Sequence, residues 1–208
     1  MTSRSSGDDA PVQSGSATVV QAVGLSTAAL VLGFWALGAL ATTVFTAGFV
    51  GGLVLWLLAP GKGSWADIRW PYWAALALFL AHRVEEKHWG FFAFLSSVTG
   101  VPTPEITSAP VLSLIVVSVG AWLMVPVLMR RGHPLGRYLA WTFFASLGIA
   151  ELAHWAVFPW FGPTGIGYVP GMATVLVLAP VAWWGMWRLR RGRPADRATA
   201  GDESAGQS

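Results

Sequence analysis

The sequence predicts an all-α protein, a polytopic bundle of about six transmembrane helices with both termini in the cytoplasm. Of the 208 residues, 54% are hydrophobic and only 11% are charged, whereas soluble domains carry about 25% charged residues. Mean hydropathy is +0.57. The apolar runs are continuous rather than alternating, which favours helices over an outer-membrane barrel.

This composition excludes a soluble enzyme and a disordered chain. The net charge of +3 comes from short arginine clusters beside apolar runs, a pattern that orients helices in a membrane rather than one that binds nucleic acid. We therefore expect no nucleic-acid partner, surroundings of membrane lipid and a location in the cell membrane. The chain has no cysteine, which excludes disulfides, thiolate ligands and a cysteine nucleophile.

The chain divides into four predicted parts. They are a disordered tail at 1–16, an additional transmembrane hairpin at 17–60, a main membrane domain at 61–187, and a basic, then disordered tail at 188–208. Residues 17–59 contain no charged side chain, and a single helix there would be about twice the ~20 residues that span a bilayer. We therefore predict two helices, at 18–37 and 41–59, with a turn at Gly38 and Thr42–Thr43.

Four further helices follow from the apolar runs. The predicted ranges are 71–94, 110–128, 135–157 and 168–187. Lysine and arginine lie in the segments after the second, fourth and sixth helices, whereas the loops 95–109 and 158–167 contain neither. Because cytoplasmic loops carry the excess of these residues, the basic segments are predicted to be inside the cell.

The ionisable residues within the predicted membrane segments fall in two places. The third helix carries the run from His82 to His88, and the fifth carries Glu151 and His154. Such residues are costly in a bilayer and usually functional. At about 100° per residue, His82, Glu85 and Glu86 share one face of their helix, with Arg83 and Lys87 on a neighbouring face.

The depths of these residues coincide. At ~1.5 Å per residue, Glu85 and Glu151 lie roughly 21–24 Å from the cytoplasmic ends of their helices, and the sixth helix is predicted to begin at that level with Tyr168. We therefore expect one shared site in the outer half of the bundle.

Two imidazoles and several carboxylates suit a divalent metal such as Zn²⁺, Fe²⁺ or Mn²⁺. We predict that His82, Glu85 and His154 are the metal ligands. Glu86, Glu151 and Tyr168 are the predicted catalytic residues, with Glu86 or Glu151 acting as a general base or a further ligand. The Glu-x-x-His spacing of Glu151 and His154 is also used by di-iron carboxylate bundles.

Other interpretations stay open at the sequence level. The predicted function is a membrane-embedded enzyme, metal-dependent in the leading hypothesis, that acts on a lipophilic small molecule. One alternative is a metal-free acid/base isoprenoid cyclase, in which a carboxylic acid protonates the substrate. Others are a small proton-coupled transporter and a structural membrane protein, in which Glu86 pairs with Arg83 and Lys87 and Glu151 pairs with His154.

Three blocks of sequence resemble the HXXEE family, bacterial integral membrane proteins named for their motif. The blocks are His82-x-x-Glu85-Glu86, His154, and Tyr168-x-Pro170-Gly171-x-x-Thr174. The resemblance covers about residues 72–186 and implies a multi-helix membrane protein in which His82, Glu85, Glu86 and His154 are the marked positions. It implies no reaction, because the family has no assigned function. Two features depart from the family pattern: an amide often stands where this chain has Glu151, and the first two helices are additional.

Overall fold

A computed structural model describes residues 15–59, 61–103, 105–161 and 167–192, and over these residues the fold is helical with no strand. The α-helices are α1 (Ser16–Leu58), α2 (Trp65–His88), α3 (Phe91–Thr99), α4 (Ala109–Leu123), α5 (Val125–Arg130), α6 (Pro134–Gly148), α7 (Ala153–Ala156) and α8 (Met172–Arg191). Short 3₁₀ turns span Ala150–Leu152 and Phe158–Trp160. Most of each predicted tail lies outside the described residues, but the basic start of the second continues α8 as far as Arg191.

The helix α1 consists of two arms that fold back on each other. Its helical backbone is broken at Gly38, where φ is +79°, one of the residues at which the sequence predicts a turn. Thr42 and Thr43, also predicted in the turn, are helical. Ser26 from the first arm hydrogen-bonds the Tyr138 hydroxyl at 2.8 Å, and Trp56 from the second packs against the same ring at 5.6 Å. In a straight helix Ser26 and Trp56 would be about 45 Å apart, so the chain reverses direction between them.

The predicted third helix is wrong at both ends. The helix α2 begins at Trp65 because Ser64 caps it: its backbone N–H and its hydroxyl each donate to Asp67 Oδ2 at 2.8 Å. Pro71 therefore lies inside the helix instead of at its start. Gly90, with φ of +72°, separates α2 from α3, so the charged run from His82 to His88 forms the last turns of α2.

The predicted fifth helix is interrupted. The helix α6 ends at Gly148, and a 3₁₀ turn and the four-residue α7 follow. The Trp183 indole N–H donates to the Gly148 carbonyl oxygen at 2.6 Å, which satisfies one of the acceptors that a helix end leaves unpaired. As a result, Glu151 lies on the 3₁₀ turn and His154 on α7.

The helix α6 lies at the centre of the molecule and is buried from Tyr138 to Gly148. The second arm of α1 packs closely on it through two glycines. A Cβ at Gly52 would lie 2.5 Å from Thr142 Cα, and one at Gly48 would lie 2.9 Å from Ser146 Cα. Small residues at this spacing let two membrane helices approach closely.

Three helical segments of the described chain are long and apolar enough to cross a membrane: Ser16–Leu58, Ala109–Arg130 and Met172–Arg191. These segments support the prediction that the chain is a membrane protein. The helices α2 and α6 are not among them, so the six-span topology stays a prediction, as does the orientation of the termini.

The basic segments lie together at one end of the bundle. Lys62 N–H donates to the Arg190 carbonyl oxygen at 3.2 Å, Arg188 pairs with Asp67 at 3.9 Å, and the Arg130 guanidinium stacks over Trp65 at 5.3 Å. The ends of α5 and α8 therefore meet the start of α2.

Candidate metal centre

Four ionisable side chains from separate parts of the chain meet in the interior. His82 and Glu86 lie one turn apart on α2, Glu151 comes from the 3₁₀ turn, and His154 comes from α7. The exposed fractions of their side chains are 0%, 3%, 15% and 2%. One ligand atom from each lies within 4.8 Å of all the others. The structure therefore brings these four side chains together, whereas their joint role as a functional site stays a prediction.

Each imidazole faces both carboxylates at nearly equal distances. His82 Nε2 lies 3.5 Å from Glu86 Oε1 and 3.2 Å from Glu151 Oε2. His154 Nε2 lies 3.2 Å from Glu86 Oε1 and 3.4 Å from Glu151 Oε2. All four distances exceed the ~2.7–2.9 Å of a charge-assisted N–H···O bond.

The four nitrogen–oxygen distances have the size expected between neighbouring ligands of one metal ion. Two ligand atoms about 2.0–2.1 Å from a common ion lie roughly 3.3–3.4 Å apart at a tetrahedral angle, and all four ligand atoms of the group lie within 4.8 Å of one another. In addition, Glu86 Oε1 is buried and makes no hydrogen bond to any described residue, a situation that is rare in folded proteins. The four residues could therefore hold a metal ion, which would satisfy this oxygen.

Arg83 binds the outer oxygens of the same two carboxylates. Its Nη1 lies 2.8 Å from Glu86 Oε2, and its Nη2 lies 2.5 Å from Glu151 Oε1. The sequence places Arg83 on a neighbouring face of α2, but its long side chain reaches around the helix to both carboxylates. The pairing of Glu86 with Arg83 that the structural alternative expects is therefore present. One guanidinium offsets one of two formal negative charges, so the group can still accept a cation.

Glu85 lies outside this group and points to the start of α8, where it accepts backbone N–H bonds from Gly171 and Ala173 at 3.1 and 3.2 Å and from Thr174 at 2.9 Å. The Tyr168 hydroxyl also donates to it. The structure therefore does not bring Glu85, predicted as a ligand, or Tyr168, predicted as catalytic, into the four-residue group. Consecutive helical residues point about 100° apart, so Glu86 faces inward while Glu85 faces α8.

Gly171 closes one side of the site. It has φ of +102°, and a Cβ there would lie 2.6 Å from His82 Cε1 and 2.7 Å from His154 Cε1. The nearby Thr174 hydroxyl lies 2.8 Å from His82 Nδ1. Sequence analysis reached both positions only through the family resemblance, because glycine and threonine carry no chemical signal of their own. The remaining ionisable residues at this end of α2, Lys87 and His88, are exposed.

A cavity of about 200 Å³ adjoins the four-residue group, and Glu86, Glu151 and His154 are among the residues that line it. The rest of its lining is mainly apolar and comes largely from α1, α3 and α4, for example Leu37, Phe91, Leu95, Val111, Leu114 and Ile115. The Phe91 and Phe158 rings pack against His154 at 4.8 and 5.3 Å. The candidate metal centre therefore faces an apolar chamber.

Fold and site together define a helical protein with membrane-length helices and a buried histidine–glutamate group that could hold a metal. No protein-family model, no curated protein and no solved structure matches the chain. Membership of the HXXEE family stays a prediction from the motifs.

Proposed function

We propose that this protein is a membrane-embedded metalloenzyme of the HXXEE type that acts on a lipophilic small molecule. A divalent ion, Zn²⁺, Fe²⁺ or Mn²⁺, would be held by His82, Glu86, Glu151 and His154. The observation that carries the proposal is the set of four nitrogen–oxygen distances between 3.2 and 3.5 Å around one buried point.

The donor set agrees with these metals. Imidazole and carboxylate ligands suit zinc, ferrous iron and manganese, whereas copper(I) and iron–sulfur clusters prefer sulfur, and the chain has no cysteine. The two carboxylates and Arg83 sum to a formal charge of −1, so a divalent cation changes the charge of the site to +1. Burial of an uncompensated charge is costly in either case, and a bound cation would in addition contact Glu86 Oε1, which is buried without a hydrogen bond among the described residues.

When bound, the metal supplies a Lewis acid that lowers the pKa of a bound water molecule and polarises an oxygen of the substrate. The protein residues have the supporting roles. Arg83 holds the two carboxylates at a fixed separation, and Phe91 and Phe158 keep bulk water away from His154. Glu86 and Glu151 are proposed as ligands, in place of the predicted ligand Glu85.

The adjoining cavity indicates the shape of the substrate. An apolar cavity of ~150 Å³ holds a molecule the size of benzene, so about 200 Å³ accommodates a ring or a short hydrocarbon segment. Ile115 lines the cavity and is 42% exposed on the outer surface of α4. A lipophilic substrate would therefore enter between helices from the surrounding lipid.

Metal analysis of the purified protein tests the proposal. The full chain, its Glu86→Gln and His154→Ala variants, and a His88→Ala control on the exposed side of α2 are purified in mild detergent, and bound metal is measured by mass spectrometry. We expect about one divalent ion per chain in the wild type and the control, and loss of the ion in the other two. Equal metal content in all four proteins, or none in the wild type after incubation with Zn²⁺, would contradict the proposal.

A further inference from the structure

Thr174 hydrogen-bonds both Glu85 and His82, and neither Glu85 nor Thr174 belongs to the proposed ligand set. We infer that they form a hydrogen-bonded relay that keeps the His82 proton on Nδ1 and thereby leaves the Nε2 lone pair for a metal. Both residues are positioning residues in this inference. Its metal-binding consequence rests on the proposed function, whereas the position of the proton does not.

The relay is a chain of three groups. His82 Nδ1 lies 2.8 Å from Thr174 Oγ1, and Thr174 Oγ1 lies 2.5 Å from Glu85 Oε2. The hydroxyl has one proton. An oxygen–oxygen distance of 2.5 Å is typical of a hydroxyl that donates to a carboxylate, so this proton lies toward Glu85. The hydroxyl oxygen then has only lone pairs to offer His82, and Nδ1 must be the donor.

Glu85 is fixed as the acceptor by its surroundings. Three backbone N–H groups at the start of the 20-residue helix α8 donate to its carboxylate, and so does the Tyr168 hydroxyl. The free N–H groups and the positive end of the helix dipole favour an ionised carboxylate at this position. An ionised carboxylate can only accept hydrogen bonds, which gives the relay its direction.

The relay also orients the imidazole. The His82 side chain is fully buried, and Gly171 packs against its Cε1. With Nδ1 held by Thr174, Nε2 points toward Glu86 and Glu151 at 3.5 and 3.2 Å. There Nε2 either donates a proton to the Glu151 carboxylate or, without that proton, offers its lone pair to a metal. Histidine ligands in metal sites almost always donate their other ring N–H to a neighbouring acceptor, and loss of that partner typically costs 10–100-fold in metal affinity.

His154 is held in a different way. Its Nδ1 is buried and makes no hydrogen bond to any described residue, and its ring lies between Phe91 and Phe158. The two histidines of the site are therefore not equivalent, and a change at Thr174 should alter His82 alone.

The test uses a pair of substitutions at one position. Thr174→Val keeps the side-chain shape and removes the hydroxyl, whereas Thr174→Ser keeps the hydroxyl. Thr43→Val is the matched control, because the exposed Thr43 hydroxyl bonds only to Ala39 O of its own helix. For each full-length protein, ¹⁵N imidazole shifts are recorded without metal at alkaline pH, and Zn²⁺ affinity is measured by competition with a chromogenic chelator.

We expect the His82 proton on Nδ1 in the wild type, Thr174→Ser and Thr43→Val. In Thr174→Val the proton should move to Nε2, and Zn²⁺ affinity should fall about 10–100-fold. A wild type with the proton on Nε2 alone and none on Nδ1, or a Thr174→Val protein with unchanged shifts and affinity, would overturn the relay. If the wild type has the proton on Nδ1 but binds no Zn²⁺, the relay stands and the proposed metal function fails.

Discussion

The two imidazoles of the site leave no room for a side chain at position 171. The Gly171 backbone has a positive φ, and its Cα faces the Cε1 atoms of His82 and His154. Any Cβ would therefore both strain the backbone and push on two proposed ligands. At the scale of single residues, this glycine determines the geometry of the site as much as the histidines do.

Gly171→Ala should displace the imidazoles and lower Zn²⁺ affinity by at least about tenfold, in line with changes that misorient metal ligands. Gly100→Ala is the matched control, since Gly100 has φ of +70° but nothing within 4 Å of its Cβ position. It carries the same ~1–2 kcal/mol cost of a left-handed backbone without the contact. Chelator competition in detergent measures both variants, and equal affinities would contradict the steric argument.

The charge balance of the site depends on Arg83, whose two Nη atoms bind Glu86 and Glu151. Without it, a metal-free site would keep two carboxylates close together with no cation between them.

Arg83→Met keeps the aliphatic stem and removes the charge. In the presence of EDTA we expect a loss of about 1–3 kcal/mol in the free energy of unfolding, and Zn²⁺ should restore more stability to this variant than to the wild type. Thermal unfolding in detergent, with and without Zn²⁺, measures both effects. Arg69→Met, on the exposed side of the same helix, serves as the control, and an equal loss there would mean that Arg83 has no special role.

At the scale of elements, the second arm of α1 and the buried helix α6 approach closely through Gly48 and Gly52. This contact supports α6, whose interrupted C-terminal end leads to Glu151 and His154. The Gly-x-x-x-Gly spacing alone is a weak signal, because glycine is common in membrane helices. Its meaning comes from the backbone of α6 lying directly against it.

Gly52→Ala should lower the free energy of unfolding by about 1–3 kcal/mol, the usual cost of overpacking, because its Cβ would lie 2.5 Å from Thr142 Cα. Gly51→Ala should be neutral or stabilising, since its Cβ would meet nothing within 4 Å and alanine is the better helix former. Melting temperatures of both variants in detergent test this. A larger fall in melting temperature for Gly51→Ala than for Gly52→Ala would contradict this packing.

At the scale of the whole molecule, the basic residues at the ends of α5 and α8 meet the start of α2 at one end of the bundle. The excess of lysine and arginine on the cytoplasmic side then predicts that this end faces the cytoplasm. The four-residue group lies about 25–30 Å from this end along α2, at 1.5 Å per residue. In this orientation it is therefore near the outer surface of the membrane.

A C-terminal reporter that is active only outside the cytoplasm should therefore give no signal, whereas one that is active in the cytoplasm should give a strong signal. Both fusions are compared at matched expression in intact cells. Activity of the external reporter would reverse the orientation and place the site near the cytoplasmic surface.

Much of the fold could be predicted because it depends on local chemistry. The long uncharged run 17–59 and the break at Gly38 predict two helical arms, and the absence of charge elsewhere marks most of the other helices. The exact ends could not be predicted, because they depend on partners distant in sequence. Trp183, for example, binds the Gly148 carbonyl oxygen at the point where α6 ends.

The sequence could predict which residue types form the candidate site, but it could not predict which of their atoms contact one another. Ionisable residues are rare in this apolar chain, so the sequence alone singled out His82, Glu85, Glu86, Glu151 and His154, with Glu85 among the predicted ligands. Only the tertiary structure decided that Arg83 binds both carboxylates and that Glu85 anchors α8. Helical periodicity specifies the direction in which a side chain leaves its own helix, whereas its partners depend on how far it reaches and on which neighbouring element offers donors there.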